Sequence, residues 1–184
     1  MGLNVLWVEP IPQVYAELVA NLAGFPNQSS LQALVTDRDD VEVELKIASN
    51  GGKSSSIMAM AEHHEVWPDI EMKSAMTLNT LTLPTLLKRS AIDLSRYDAL
   101  LLDTQGAELL ILKGATELLP HFSFIQVEAA NFEAYEGCPR VEDIIAFVQP
   151  HGFTVDPKSF EGWDNGQRTH FDLVFSNNRR NSSS

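Results

Sequence analysis

The sequence predicts an open α/β fold: a mostly parallel sheet with helices on both faces, closed at its C-terminal end by an antiparallel pair of strands. Three observations carry that prediction. Short continuous apolar runs at residues 5–8 and 99–102, and a largely apolar run at 122–127, have the length and composition of buried strands. Segments of helical period separate them, with short connections. Each run is followed at once by an acid: Glu9, Asp103 and Glu128.

The elements follow in order. Residues 5–8 form the first strand, and Pro10 blocks further ladder pairing. A helix is predicted over 12–23, where proline suits the first turn, Val14, Leu18 and Leu22 share a face, and Gly24 is the stop. Residues 31–35 read as a second strand, ending at Thr36 and Asp37. Residues 41–47 alternate strictly, with Val41, Val43, Leu45 and Ile47 opposite Glu42, Glu44 and Lys46. That is a half-exposed strand near a sheet edge. Residues 49–56 are a polar loop, 58–73 a loop with a short helix, 76–83 a short strand and 84–89 a short helix. After the strand at 99–102, Gly106 opens a helix with Leu109, Leu112 and Leu118 toward the sheet. The strand at 122–127 precedes an amphipathic helix over 141–148, with Ile144, Ile145 and Val148 inward, broken by Pro150 and Gly152. Residues 153–155 and 171–175 form the closing antiparallel pair. Residues 177–184 read as a disordered polar tail. With no repeat and no linker, residues 1–176 are expected to form a single domain.

Composition narrows the function. A chain of 184 residues can bury a substantial core, and 44% hydrophobic with 21% charged residues is ordinary for a soluble globular protein. The net charge of −12, with no basic run beyond Arg179-Arg180, argues against a nucleic-acid partner. No apolar stretch approaches the roughly 20 residues of a membrane helix. The start has no basic segment of the secretory kind, so a cytoplasmic location is expected. Cys138, the single cysteine, excludes an internal disulfide and reads as an ordinary loop thiol.

In open α/β sheets, ligands bind beyond the carboxyl ends of the strands. Glu9, Asp103 and Glu128 are therefore expected at one rim, where three acids together point to a site. Other patterns are weaker. Asn50-Gly51-Gly52-Lys53-Ser54 resembles the end of a phosphate-binding loop, but the position that needs its first glycine is Ile47, so a solvated loop is expected. His63-His64-Glu65 lacks metal-ligand spacing and reads as surface; no metal site is predicted. The loop with Glu133, Tyr135 and Glu136 either touches substrate or is simply solvated.

Residues 101–115, Leu-Leu-Asp-Thr-Gln-Gly-Ala-Glu-Leu-Leu-Ile-Leu-Lys-Gly-Ala, strongly resemble the signature of FkbM-type methyltransferases. In that signature a strand-end Asp is followed by Gln or Glu, Gly-Ala-Glu, then Leu-Lys-Gly. The likeness extends outward through Val8-Glu9-Pro10 with Leu18 and Asn21, Ser54-Ser55-Ser56-Ile57, Glu128, Tyr135-Glu136-Gly137 and His151-Gly152-Phe153. It spans nearly the whole chain. It implies a Rossmann-like methyltransferase sheet and S-adenosylmethionine as cofactor. The family's first strand, with its Asp-x-Gly-Ala-Asn-x-Gly loop around the methionine part of the cofactor, has no counterpart before Val5. That strand lies at the centre of the family sheet. Leaving its neighbours with unpaired buried backbone would cost about 1–3 kcal/mol per group, so a simple gap is not expected and a truncated chain is.

The resemblance also implies roles. Glu9, with Pro10 beside it, would hold the ribose hydroxyls, and Asp37 would lie near the adenine. Asp103 would sit beside the transferred methyl and contact acceptor or cofactor amine. Glu108 and Glu128 would orient the acceptor or act as base, since an alcohol loses its proton as it attacks. For Glu108, in the first turn of a helix, a structural role is an equal alternative. The expected reaction is O-methylation of a small molecule or sugar. The rival is a non-catalytic remnant that no longer takes cofactor. A nicotinamide-dependent oxidoreductase is disfavoured, because no Gly-x-Gly-x-x-Gly occurs.

Overall fold

The computed structural model describes residues 2–161 and 167–181, with side chains through Arg179. The architecture is mixed α/β, in three sheets rather than one. The first sheet pairs β1 (Val5–Val8) with β2 (Gln28–Leu31) in parallel, joined by α1 (Pro12–Leu22). The second runs β3 (Leu34–Val35), β5 (Met72–Leu81), β4 (Glu42–Ala48), with β3 parallel and β4 antiparallel to β5. The short α2 (His63–Val66) lies between β4 and β5 in the chain. After α3 (Leu83–Arg89) comes the third sheet, in the order β6 (Ala99–Leu102), β7 (Phe124–Ala130), β9 (His170–Asn177), β8 (Phe153–Val155). Its β6 and β7 are parallel, while β9 is antiparallel to both of its neighbours. The helices α4 (Glu108–Gly114) and α5 (Val141–Val148) pack on one face of this sheet, and a helical turn α6 (Asn178–Asn181) follows β9.

The main core is the covered face of the third sheet. Ile125 and Val127 of β7, with Leu173 and Phe175 of β9, alternate inward against Leu112 of α4 and Ile144 and Val148 of α5; all are fully buried. Period-two alternation puts the other residues of those strands on the opposite face, away from α4 and α5. There Leu101 is 67% exposed.

Several expectations are corrected. The segment 31–35 is not one strand: Gln28–Leu31 pairs with β1 and Leu34–Val35 with β5, in different sheets. The strand at 76–83 is longer, Met72–Leu81, because β4 lies along it. Glu128 is inside β7 rather than after it, since Ala129 and Ala130 continue the buried strand. The fourth helix begins at Glu108; Gly106 lies in the preceding turn with φ 105°. The C-terminal strand runs through Asn177, which is buried with Nδ2 donating to the Phe122 carbonyl at 3.0 Å. The predicted disordered tail is therefore ordered through 181, and 182–184 lie outside the described residues.

The expectation of strands covered on both faces also fails for β1 and β6. Among the described residues β1 pairs only with β2 and β6 only with β7. Their amino ends are tied, with Arg96 Nη2 donating to Asn4 Oδ1 at 2.9 Å, and Leu6 and Leu100 pack on the same cluster of Leu83, Leu87 and Ala115. No ladder joins them, so the sheets on either side remain separate. Both strands are partly open to water, with Trp7 45% exposed in β1 and Leu101 67% exposed in β6.

Candidate active site

The site is set by register. Leu101 lies opposite Gln126 and Leu102 opposite Val127. One further step along each parallel strand brings Asp103 level with Glu128, on the face away from α4 and α5. The turn after Asp103 then bends back. Gln105 has a left-handed φ of 56°, unusual for a residue with a β-carbon, and its side chain returns to the acids. Its Nε2 donates to Asp103 Oδ1 at 2.7 Å and to Glu128 Oε2 at 2.9 Å.

Two loops hold that turn. Ser56 Oγ donates to the Gln105 carbonyl at 2.6 Å. The Tyr135 hydroxyl lies 2.8 Å from Gln105 Oε1 and 3.2 Å from the Ser54 carbonyl. Tyr135 is 2% exposed, and burial holds its hydroxyl well above the usual phenol range, hence protonated. Gly106 is required at its place: with φ 105° a β-carbon would come within 3.1 Å of Met58 Sδ and 3.3 Å of Cys138 Cβ.

The candidate acids differ in environment. Glu128 is pushed up to about 7, first by burial, then by the charge of Asp103 and the hydrogen bond shared with it. Glu108 is buried, and burial raises its pKa. Its carboxylate turns into its own loop, accepting from Thr104 N at 2.7 Å and Gly106 N at 3.0 Å. Glu9 lies just beyond β1, half-buried; burial raises its pKa, opposed by a hydrogen bond from Ile11 N at 2.7 Å to Oε1. Pro10 follows it, its carbonyl accepting weakly from Gln32 Nε2 at 3.4 Å. Asp37 pairs with Arg38 at 3.7 Å. Its backbone packs on Gly114, at the far end of α4 from Glu108, and it follows β3 rather than the strand beside Glu9.

Asp103 and Glu128 are thus brought together through Gln105. Glu9 approaches the same end less directly. Gly52, in the loop that carries Ser54 and Ser56, lies against Ile11, two residues after Glu9. That loop is not solvated as expected. Ser54 and Ser56 are buried, and Asn50 caps the turn, with Oδ1 accepting from Ser54 N at 3.1 Å.

His63 is also buried rather than on the surface, its ring 4.8 Å from Trp67 and 5.3 Å from Tyr135. Burial lowers its pKa, and its Nδ1 has no partner. Trp67 stacks in turn near His170, at 5.0 Å, and burial likewise lowers the pKa of His170. The loop with Glu133, Tyr135 and Glu136 is packed rather than solvated at its apolar positions, since Phe132, Ala134 and Tyr135 form one buried cluster. Among the described residues, no group of three or more His, Cys, Asp or Glu is placed to hold a metal. No helix among them is long and apolar enough to cross a membrane.

A comparison with protein families matches the methyltransferase FkbM domain over residues 1–155. The chain belongs to the FkbM methyltransferase family. The match takes in Glu9, Asp37, Asp103, Glu108 and Glu128 alike. Neither a curated protein nor a solved structure gave a significant match. Gln105, which connects the acids of this methyltransferase domain, has no role assigned from sequence, and Tyr135, which orients it, is read there only as touching substrate or solvated. The available signal was a polar residue directly before Gly106, in a turn that follows a strand-end acid.

Proposed function

We propose that this domain transfers a methyl group from S-adenosylmethionine to a hydroxyl oxygen of a small molecule or sugar. The observation that carries the proposal is the Asp103–Glu128 pair, bridged by Gln105, with Glu128 titrating at about 7. A base that is about half ionised at neutral pH suits the removal of a proton from an attacking alcohol, a contribution of typically 10²–10⁴-fold.

The chemistry of the donor set fits the cofactor on its ribose side. Glu9 uses Oε1 for Ile11 N, which leaves Oε2 to accept from a diol. S-adenosylmethionine supplies an electrophilic methyl on a sulfonium centre. Asp103 would orient the acceptor or the cofactor amine, and Glu128 would accept the acceptor proton at its carboxylate. Glu108 would act by holding the 104–106 turn, since its oxygens are engaged with that backbone. The net charge of −12 agrees with a neutral or cationic ligand. The cytoplasm is the expected location.

Incubation with methyl-labelled cofactor and a panel of sugars and simple alcohols tests the reading. Label should enter an acceptor, and Asp103→Asn should reduce incorporation at least 100-fold with the circular dichroism unchanged. Wild-type turnover by Asp103→Asn would remove that residue from the site. A second reading, a binding domain that takes no cofactor, is favoured by the strands β1 and β6, which among the described residues each have one ladder partner. It requires that S-adenosylmethionine give no saturable heat.

A further inference from the structure

We propose that Gln105 is a positioning residue: oriented by Tyr135 and Ser56, it fixes the carboxylates of Asp103 and Glu128 relative to one another. The inference rests on reading those acids as the acceptor side of the methyltransferase site.

Geometry carries it. A side-chain amide can present either its oxygen or its NH2 group to a neighbour, and only the NH2 group suits two carboxylates. The Tyr135 hydroxyl removes the ambiguity. It is protonated and buried, with its single proton between the amide oxygen at 2.8 Å and the Ser54 carbonyl at 3.2 Å; donated to the nearer, it turns both Nε2 protons toward the acids. Those protons reach Asp103 at 2.7 Å and Glu128 at 2.9 Å, one each. The backbone conformation needed for this reach is left-handed, which is unfavourable for a residue with a β-carbon. The hydrogen bond from Ser56 Oγ to the Gln105 carbonyl holds it there. Three side chains, from the end of β6, from β7 and from the loop after it, therefore converge on one amide, while Ser56 holds its backbone.

The surroundings of Glu128 set the direction of the test. Asp103 and Glu108 face it from the turn and from α4, and Asp172 lies opposite it on β9. Tyr135 feels its charge from the following loop, and His170, also on β9, feels that of Asp103. Gln105 opposes the acids that raise Glu128, because hydrogen bonds to a carboxylate favour the ionised form. Removing its amide should raise Glu128 further.

The experiment is an NMR titration of side-chain carboxyl carbons in the intact chain, which needs neither cofactor nor acceptor. Gln105→Met keeps the volume and deletes the amide; the Glu128 midpoint should rise by about one pH unit, the size expected for a lost charge-assisted hydrogen bond. Tyr135→Phe deletes only the orienting hydroxyl and should raise the midpoint by a smaller amount in the same direction. An unmoved or lowered midpoint in either folded variant overturns the proposal, as does a variant that loses thermal stability alone. If Gln105→Met does not fold, Tyr135→Phe decides. Failure of methyl transfer would instead appear as no labelled acceptor while the titration behaves as expected.

Discussion

The two sides of the carboxyl rim are built differently. At Asp103 and Glu128 the chain holds its own acids: one amide, one phenol, a serine hydroxyl and a buried glutamate fix the turn between β6 and α4. At Glu9 the acid ends a two-stranded sheet, and the helix that follows has no buried residue. The first side is organised by its own hydrogen bonds over a fully buried core. The second has one backbone hydrogen bond to its carboxylate and little packing beneath it. Pre-organisation lowers the cost of ordering at the moment of use, so the Asp103–Glu128 side should behave as a preset device and the Glu9 side as one completed by a ligand.

The largest expected effect separates the two by stability. Phe175→Ala, in the buried face of β9, should cost about 3–5 kcal/mol in urea unfolding. Val19→Ala, on exposed α1, should cost less than about 0.5 kcal/mol. Equal losses would erase the contrast. Gly114→Ala comes next. Its β-carbon would meet the Thr36 carbonyl oxygen at 2.6 Å and Asp37 Cα at 2.8 Å, both backbone. Overpacking of about 1–3 kcal/mol should outweigh the helix-propensity gain of roughly 1 kcal/mol, so the unfolding midpoint should fall.

The pH dependence sharpens the comparison further. Between about 4.5 and about 7 the folded state keeps a proton on Glu128 that the unfolded chain has lost. The folded state binds more protons there, so stability should fall as pH rises through that window. Glu128→Gln should flatten the slope of the urea midpoint against pH, and an unchanged slope would mean another group titrates. The smallest effect is expected at Arg168, whose guanidinium pairs with Glu62 at 2.8 Å and with Glu65. These groups face solvent, so Arg168→Ala should leave the urea midpoint essentially at the wild-type value, and a clear fall would contradict a screened surface pair.

Alternation and apolar runs made most strands legible, because burial on one face leaves a period of two in the sequence. That is why β4, β6, β7 and β9 were found near their places. The same runs misled about β1 and β6, since an apolar run reports what a strand can bury, not what covers it. Leu101 has strand-core chemistry and faces water. The strand-end acids were visible as residue types after each run, and parallel register explains why two of them meet. The bridging amide was not visible, because Gln105 is linked to Glu128, Tyr135 and Ser56 across 23, 30 and 49 positions of sequence. The change of sheet before Asp37 was not visible either, because nothing in residues 31–35 marks the passage from one sheet to another.

Calorimetry with S-adenosylmethionine on the wild-type chain and on Glu9→Gln tests most directly whether this rim is a methyltransferase site. The expected result is saturable binding by the wild type, weakened about 10–100-fold when Glu9 loses its charge-assisted hydrogen bonds. Absence of saturable heat, or equal affinity in the two proteins, would contradict it.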